Sequence, residues 1–85
     1  MHVFLHSDAK KKLKKLSPRL REQFDERIAL FLREPYHVIL NNHSVERAYS
    51  GCRSINITGN YRAIYYKEKG SVLIVAIGTH PELYK

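Results

Sequence analysis

The feature that most constrains this fold is an unbroken apolar run late in the chain, which follows a Lys69-Gly70 turn signal and reads SVLIVAI. A strand with one wet face alternates apolar and polar residues, whereas a continuous apolar run is typical of a strand covered on both sides, or nearly so. The run therefore predicts a central strand, with other strands beside it and helices packed over the sheet.

Three further strands are predicted around this run. The segment RSINIT, which begins at Arg53, alternates in polarity, and the segment YRAIYY after the Gly59-Asn60 turn signal is rich in strand-forming residues. With the apolar run they form an antiparallel meander. Residues 2–6 at the start of the chain read as a short fourth strand, with Val3 and Leu5 on one face.

The first predicted helix follows Ser7, a favourable N-cap residue, and reads DAKKKLKKL. Its apolar residues recur at spacings of four and three, which places them on one helical face: Ala9, Leu13 and Leu16. Lysines occupy its other faces, so this helix is expected to pack through a narrow apolar stripe.

The second predicted helix begins at Pro18, after the cap residue Ser17, and ends near Arg33 because Pro35 disfavours helical backbone before it. Its apolar residues advance by four, four and three: Leu20, Phe24, Ile28 and Phe31. This spacing is typical of an amphipathic helix packed on a flat surface. Residues 36–51 have no sustained period and predict only a connector or a helical turn.

These elements occur in the order β-α-α-β-β-β and predict an α+β fold, with residues 1–85 as one domain. We expect a two-helix hairpin packed on a twisted, mainly antiparallel four-stranded sheet that includes the N-terminal strand. The segment Gly78 to Pro81 ends the last strand, and a short tail follows it. A chain of this length buries only roughly 60% of its unfolded surface, so it has room for one core.

The charge of the chain limits the class of its partners. Fifteen lysines and arginines against eight acidic residues give a formal charge of +7. A field of one sign on so small a body favours a polyanionic partner, and it disfavours self-association, so we expect a monomer. Nucleic acid, an anionic membrane surface and an acidic protein all remain open on charge alone.

The single cysteine, Cys52, excludes an internal disulfide, and His2, His6 and His37 have no partners at metal-ligand spacing. We therefore predict no metal site, and no cofactor signature is present. No signal peptide and no apolar run of membrane-spanning length are evident, so the expected location is the cytoplasm.

Three motifs, taken together, resemble those of one toxin family. The stretch from Gly51 to Tyr65, GCRSINITGNYRAIY, resembles the G-x-R-S start, turn and Tyr-Arg pair of RelE/ParE toxins. The ending from Ile77 to Tyr84, IGTHPELY, resembles the G-T-H-x-x-L-(F/Y) ending of the YafQ-like branch. An upstream histidine, His43, matches one that these toxins carry before their sheet.

The resemblance implies a RelE-like fold and a toxin of a type II toxin–antitoxin system. It implies a ribosome-dependent endoribonuclease that cuts mRNA in the A site, arrests translation and is held inactive by a cognate antitoxin. The expected partners are therefore this antitoxin, the ribosome with its rRNA, and mRNA, with no membrane and no small-molecule cofactor. The pattern departs at Asn56 and Asn60, where the YafQ-like branch can carry histidine and aspartate, so the acid–base set is thinner here.

RNA cleavage without a metal needs a base for the ribose 2′-hydroxyl, an acid for the leaving 5′-oxygen, and cations for the phosphorane. Histidine suits both proton roles, because its pKa lies near the working pH. We predict His80 and His43 as this pair, in either direction, with Arg62 on the phosphate and Tyr84 stacking on a base or positioning a proton. Further RNA or phosphate contacts are predicted from Arg53, Asn56, Asn60, Lys10, Lys11 and Lys14.

Each of these residues also has a purely structural interpretation. His80 would then cap backbone at a strand end, His43 would be a loop residue, and Arg62 would be a surface residue paired with Glu68. At the level of the whole protein, the alternatives are a ParE-like toxin that inhibits DNA gyrase without nuclease activity, and a catalytically silent binding module.

Overall fold

A computed structural model describes residues 1–84 and has the predicted α+β architecture. The elements in chain order are β1 (His2–Leu5), α1 (Ser7–Lys15), α2 (Pro18–Arg33), a 3₁₀ helix (Val38–Leu40), β2 (His43–Ser44), β3 (Cys52–Asn56), β4 (Tyr61–Glu68), β5 (Ser71–Thr79) and α3 (His80–Leu83). The predicted fold class and the order of its main elements are confirmed.

The sheet has five strands, in the order β1-β5-β4-β3-β2, and not the four predicted. The additional strand, β2, has only two residues and pairs antiparallel with β3 at the sheet edge. A two-residue strand leaves no period in the sequence. Strand β1 pairs with β5 in parallel, while the β3–β4–β5 meander is antiparallel as predicted.

The helical hairpin covers one face of the sheet and forms the main core. Phe24 and Phe31 of α2 are 4% and 3% exposed. Burying side chains of this size contributes roughly 1.5–3 kcal/mol each. They pack with Ala9 and Leu16 against sheet residues that include Ile55, Ile57, Ala63, Tyr65, Val72, Ile74 and Ile77.

A bulge in β5 contributes to its unbroken apolar run. Ile64 pairs with Ala76 but Tyr65 pairs with Ile74, which leaves Val75 as an extra residue. An extra residue reverses the alternation of faces. Ile74 and Ile77 consequently both join the main core, while Val75 and Ala76 pack into a second, smaller cluster on the other face, with Val45, Cys52 and Ile64.

Two terminal details of the helices differ from prediction. Helix α1 is capped by His6, whose Nδ1 accepts from the Asp8 amide at 3.2 Å, so the predicted cap at Ser7 is wrong by one residue. Strand β5 ends at Thr79, and Glu82 and Leu83, which were predicted to lie in a short tail, belong to helix α3. The start of α2 is confirmed, because Ser17 Oγ accepts from the Leu20 amide and Pro18 is the first helical residue.

Candidate active site

A cleft of about 600 Å³ lies at the end of the sheet where α3 begins. Its walls come from the loop around β2, from the start of β4 and from α3. The lining includes all four residues predicted as catalytic, which are His43, Arg62, His80 and Tyr84, together with Asn41, Ser44, Val45, Glu46, Arg47 and Ala48. The structure therefore brings together side chains that are up to 41 residues apart in the sequence, the separation of His43 and Tyr84.

His43 is oriented by the backbone that leads into β2. Asn41 adopts a left-handed conformation with φ of 46°, and its carbonyl oxygen lies 2.7 Å from His43 Nδ1. Because a carbonyl oxygen can only accept, Nδ1 must carry the hydrogen. The second ring nitrogen, Nε2, is then the unprotonated one in the neutral ring, which is the form required of a proton acceptor.

Arg53 anchors this loop and does not line the cleft. Its Nε donates to Asn42 Oδ1 at 2.7 Å, and its guanidinium lies 5.5 Å from the centre of the Tyr36 ring. Asn42 also donates to the Tyr65 hydroxyl. Successive strand side chains alternate between faces, so Arg53 and Asn56 point to opposite sides of the sheet. The geometry favours a structural role for Arg53 over the predicted phosphate contact.

Arg62 is held at the cleft by Asn56 on the neighbouring strand. The two residues are register partners, and Arg62 Nη1 donates to Asn56 Oδ1 at 2.7 Å. Glu68, the partner that the structural interpretation assigned to Arg62, lies at the other end of β4 and is opposite Ser71 in the sheet register. A guanidinium has five N–H donors, so this single hydrogen bond fixes its direction and leaves the others for a ligand.

His80 is the first residue of α3 and Tyr84 caps the end of this helix, one turn later, and their ring centres are separated by 4.6 Å. The Tyr84 amide donates to the His80 carbonyl oxygen at 3.0 Å. On the side of Tyr84, the hydroxyl of Tyr49 donates to the Leu83 carbonyl oxygen at 2.9 Å. The two rings thus form one wall of the cleft.

Glu82, on α3, contacts both Thr79, the residue before this helix, and Lys12 on α1. Its Oε1 accepts from the Thr79 amide at 2.8 Å and from the Thr79 hydroxyl at 3.1 Å, while Oε2 lies 2.7 Å from Lys12 Nζ. The hydrogen bond from Lys12, followed by those from Thr79, lowers the pKa of Glu82 from 4.5 to about 2.

The Glu82 contacts should therefore survive acidification that would protonate an ordinary glutamate. Because the folded pKa is the lower one, their stabilising effect is complete above about pH 4.5 and is lost as the pH falls toward 2. We expect the Thr79 amide proton to show no titration step near pH 4.5 by NMR. In Lys12→Met the step should move up toward 4.5, and an unchanged titration would contradict Lys12 as the main cause.

A second, smaller cleft of about 360 Å³ adjoins the first, and both are lined by Arg62 and His80. Its other walls come from the β3–β4 turn and the start of α3: Gly59, Asn60, Tyr61, Thr79 and Pro81. Asn60 thus lies at this cleft, while Asn56 lines neither cleft and contacts Arg62.

The three lysines predicted to contact RNA lie on α1, apart from the residues that line either cleft. Lys10, Lys11 and Lys14 are exposed, whereas Lys12 is half-buried against Glu82. The cluster therefore contains both free surface charges and one lysine with a defined partner.

Arg47 is a cleft residue that the sequence analysis missed. It lies in the loop between β2 and β3, whose shape is maintained by Glu46: its carboxylate accepts from the Gly51 amide at 2.6 Å and from the Ser50 hydroxyl at 3.1 Å. Gly51 has a φ of 76°, which favours glycine. Gly51 was the available signal, since it marks a turn that folds residues 45–50 back toward β3.

Cys52 is packed beneath the cleft as a structural residue. It is 7% exposed, within the smaller core cluster, and burial raises the pKa of its thiol, followed by the effect of the Glu46 charge. A thiol held protonated in this way is a poor nucleophile, as its predicted structural role requires.

Across residues 1–84, no cluster of three histidine, cysteine, aspartate or glutamate side chains is arranged to hold a metal ion. None of the helices in that range is both long enough and apolar enough to cross a membrane.

Comparison with known proteins gives a match over almost the whole chain. Residues 3–84 match the family model described as the ParE toxin of the type II toxin–antitoxin system parDE. None of the curated proteins matches the chain.

Several solved structures share the fold at low sequence identity. YafQ from E. coli superposes with a TM-score of 0.83 at 15% identity, covering 98% of this chain and 97% of YafQ. YoeB from Staphylococcus aureus gives 0.78 at 14%, with 94% and 97% covered. A chain of a toxin–antitoxin complex from Mycobacterium tuberculosis gives 0.74 at 24%, with 93% and 96% covered.

Proposed function

The chain belongs to the ParE toxin family of type II toxin–antitoxin systems, and from this premise we propose that it is an endoribonuclease that cuts mRNA in the ribosomal A site. The observation that carries the proposal is the convergence of His43, Arg62, His80 and Tyr84 on one cleft. Two potential proton carriers and a directed guanidinium form a sufficient set for metal-independent RNA cleavage. A cognate antitoxin would hold the enzyme inactive.

The hydrogen bond at His43 supports its assignment as the base. With Nδ1 donating to the Asn41 carbonyl, Nε2 is free to take the proton of the ribose 2′-hydroxyl. The 2′-oxygen then attacks phosphorus and the bond to the 5′-oxygen breaks. His80 gives its proton to that oxygen, so the products are a 2′,3′-cyclic phosphate and a 5′-hydroxyl.

Arg62 would stabilise the phosphorane between these two histidines. Its bond to Asn56 fixes the guanidinium while its remaining donors stay available to the extra negative charge. A neutral amide suits this position, because it accepts a hydrogen bond without a charge that would compete with the phosphate. Tyr84, beside His80, is suited to stacking on a neighbouring base.

The direct test is cleavage of a defined message by the purified toxin, with and without ribosomes. We expect cuts in the A-site codon that require the ribosome, and none on the naked message. If neither sample is cut although the toxin still arrests the growth of cells that express it, the nuclease proposal is contradicted.

Ribosome binding should depend steeply on salt through the exposed lysines of α1. Each phosphate contact contributes roughly 0.7–0.9 to the slope of log affinity against log salt. Joint replacement of Lys10, Lys11 and Lys14 by methionine should therefore lower that slope by about two to three units. A slope equal to that of the wild type would show that these lysines do not contact rRNA.

The second candidate function is inhibition of DNA gyrase without nuclease activity, as expected for a ParE-like toxin. It is favoured by the family model that matches, which describes the ParE toxin. Measured DNA and protein synthesis in expressing cells separates the two: blocked replication with translation intact would select the gyrase target. A catalytically silent module would arrest neither.

A further inference from the structure

The helix that carries His80 is too short to hold itself in place. Helix α3 has four residues, and isolated helices shorter than about 12–15 residues are marginal in water. The C-terminal end of α3 is tethered by the hydrogen bond that the Tyr49 hydroxyl donates to the Leu83 carbonyl oxygen. The position of its first residue, His80, must therefore depend on contacts at its start.

Those contacts are supplied by Glu82, whose carboxylate joins two separate parts of the molecule. Its Oε1 accepts hydrogen bonds from the amide and the hydroxyl of Thr79, the residue before His80. Its Oε2 accepts a hydrogen bond from Lys12. Lys12 and Glu82 are separated by 70 positions in the sequence, so this pair braces α3 against α1. Helix α1 is itself fixed to the core by Ala9, which is 1% exposed and lies one turn before Lys12.

One side of Glu82 lies against the end of β5, while its side chain remains 46% exposed. A β-carbon added at Gly78 would lie 3.1 Å from Glu82 Oε1, 3.3 Å from its Cβ and 3.4 Å from Leu83. Glu82 thus lies close over Gly78 at the end of β5, and its other carboxylate oxygen binds Lys12. Lys12 differs accordingly from its exposed neighbours, since its side chain is 29% exposed.

We propose that Lys12 and Glu82 are positioning residues for His80, an inference that rests on the proposed nuclease function. The pair fixes the start of α3, which sets the direction of the His80 ring toward the scissile bond beside Arg62. Lys12 then contributes to the chemical step from outside the cleft, whereas Lys10, Lys11 and Lys14 contribute to ribosome binding.

The test compares Lys12→Met, Lys12→Arg, Glu82→Gln and the Lys12→Met/Glu82→Gln double variant in single-turnover cleavage on ribosomes. The glutamine keeps an oxygen for Thr79 but loses the charge that binds Lys12. Each of the two charge-removing single variants should slow cleavage at saturating toxin by about tenfold, because small misplacements of a catalytic group are costly, while ribosome affinity stays unchanged. The double variant should be no slower than either, and arginine should restore most of the rate.

The matched control is Lys15→Met, which removes an exposed charge from the same helix and should cleave at the wild-type rate. Two outcomes would overturn the inference. One is a Lys12→Met variant that binds ribosomes more weakly but cleaves at the normal rate once bound. The other is a double variant whose loss is the product of the two single losses, since independent residues multiply.

NMR of the free protein keeps the inference distinguishable from the nuclease proposal. Lys12→Met and Glu82→Gln should shift the ring signals of His80 alike, and Lys15→Met should leave them in place. Unshifted His80 signals would overturn the positioning role. These shifts in the two variants, together with a wild type that cleaves no message, would instead contradict the nuclease function.

Discussion

Replacing His80 by alanine should slow cleavage of ribosome-bound message by about 10²- to 10⁴-fold, the usual contribution of a positioned acid or base. The rate should recover when the 5′-oxygen at the cleavage site is replaced by sulfur. A thiolate leaves without being protonated, so a substrate with this leaving group does not need the acid. The measurement is the single-turnover rate on paired oxygen and sulfur messages.

His43→Ala provides the contrast, because the 2′-hydroxyl must lose its proton with either leaving group. It should be slow on both messages. Recovery of His43→Ala by sulfur, with His80→Ala still slow, would reverse the two assignments. His2→Ala is the matched control, since His2 is exposed on β1 and lines neither cleft. Full activity of His80→Ala on the oxygen message would remove His80 from the chemistry.

The parts of the fold that were predictable are those specified by local patterns. Ser17 and Pro18 mark the start of α2 in the sequence and do so in the structure, where Ser17 caps the helix. Strands β3, β4 and β5 were likewise evident from their composition and from the turns between them. In each case neighbouring residues determine the element, so the chain outside it adds little.

The parts that were not predictable depend on residues distant in the sequence. Strand β2 exists only because His43 and Ser44 meet Ser54 and Arg53 on β3. The bulge at Val75 becomes visible only when β4 is aligned beside β5. An apolar run without alternation is equally consistent with two covered faces and with a bulge, and here both are present.

The candidate site divides in the same way. The four cleft residues were predicted from motifs that the resemblance supplied, and the structure brings them together. Arg53 belongs to one of the same motifs, yet its partners are Asn42 and Tyr36, which lie in the segment without a sequence period. The Lys12–Glu82 pair carried no signal, because Lys12 is one of five similar lysines on a single helix.

Replacing Arg62 by alanine should slow the chemical step by about 10²- to 10³-fold, as loss of a donor to transition-state charge does in other enzymes. Binding to the ribosome should hardly change, because Arg62 would make only one phosphate contact. A single contact changes the slope of log affinity against log salt by only roughly 0.7–0.9. The two effects are separated by measuring affinity and single-turnover rate on the same complexes. A variant that binds weakly and cleaves normally once bound would assign Arg62 to docking.

Arg62→Lys sharpens the interpretation, because it keeps the charge and removes the planar fork. An ammonium is a compact charge on a flexible stem, and it lacks the fixed geometry by which a guanidinium holds Asn56 and a phosphate together. The lysine variant should therefore stay close to alanine in rate. Asn56→Ala should lose less, because the guanidinium remains but its direction is no longer fixed. If lysine restored the full rate, charge alone would account for Arg62, and the hydrogen bond to Asn56 would have no part in catalysis.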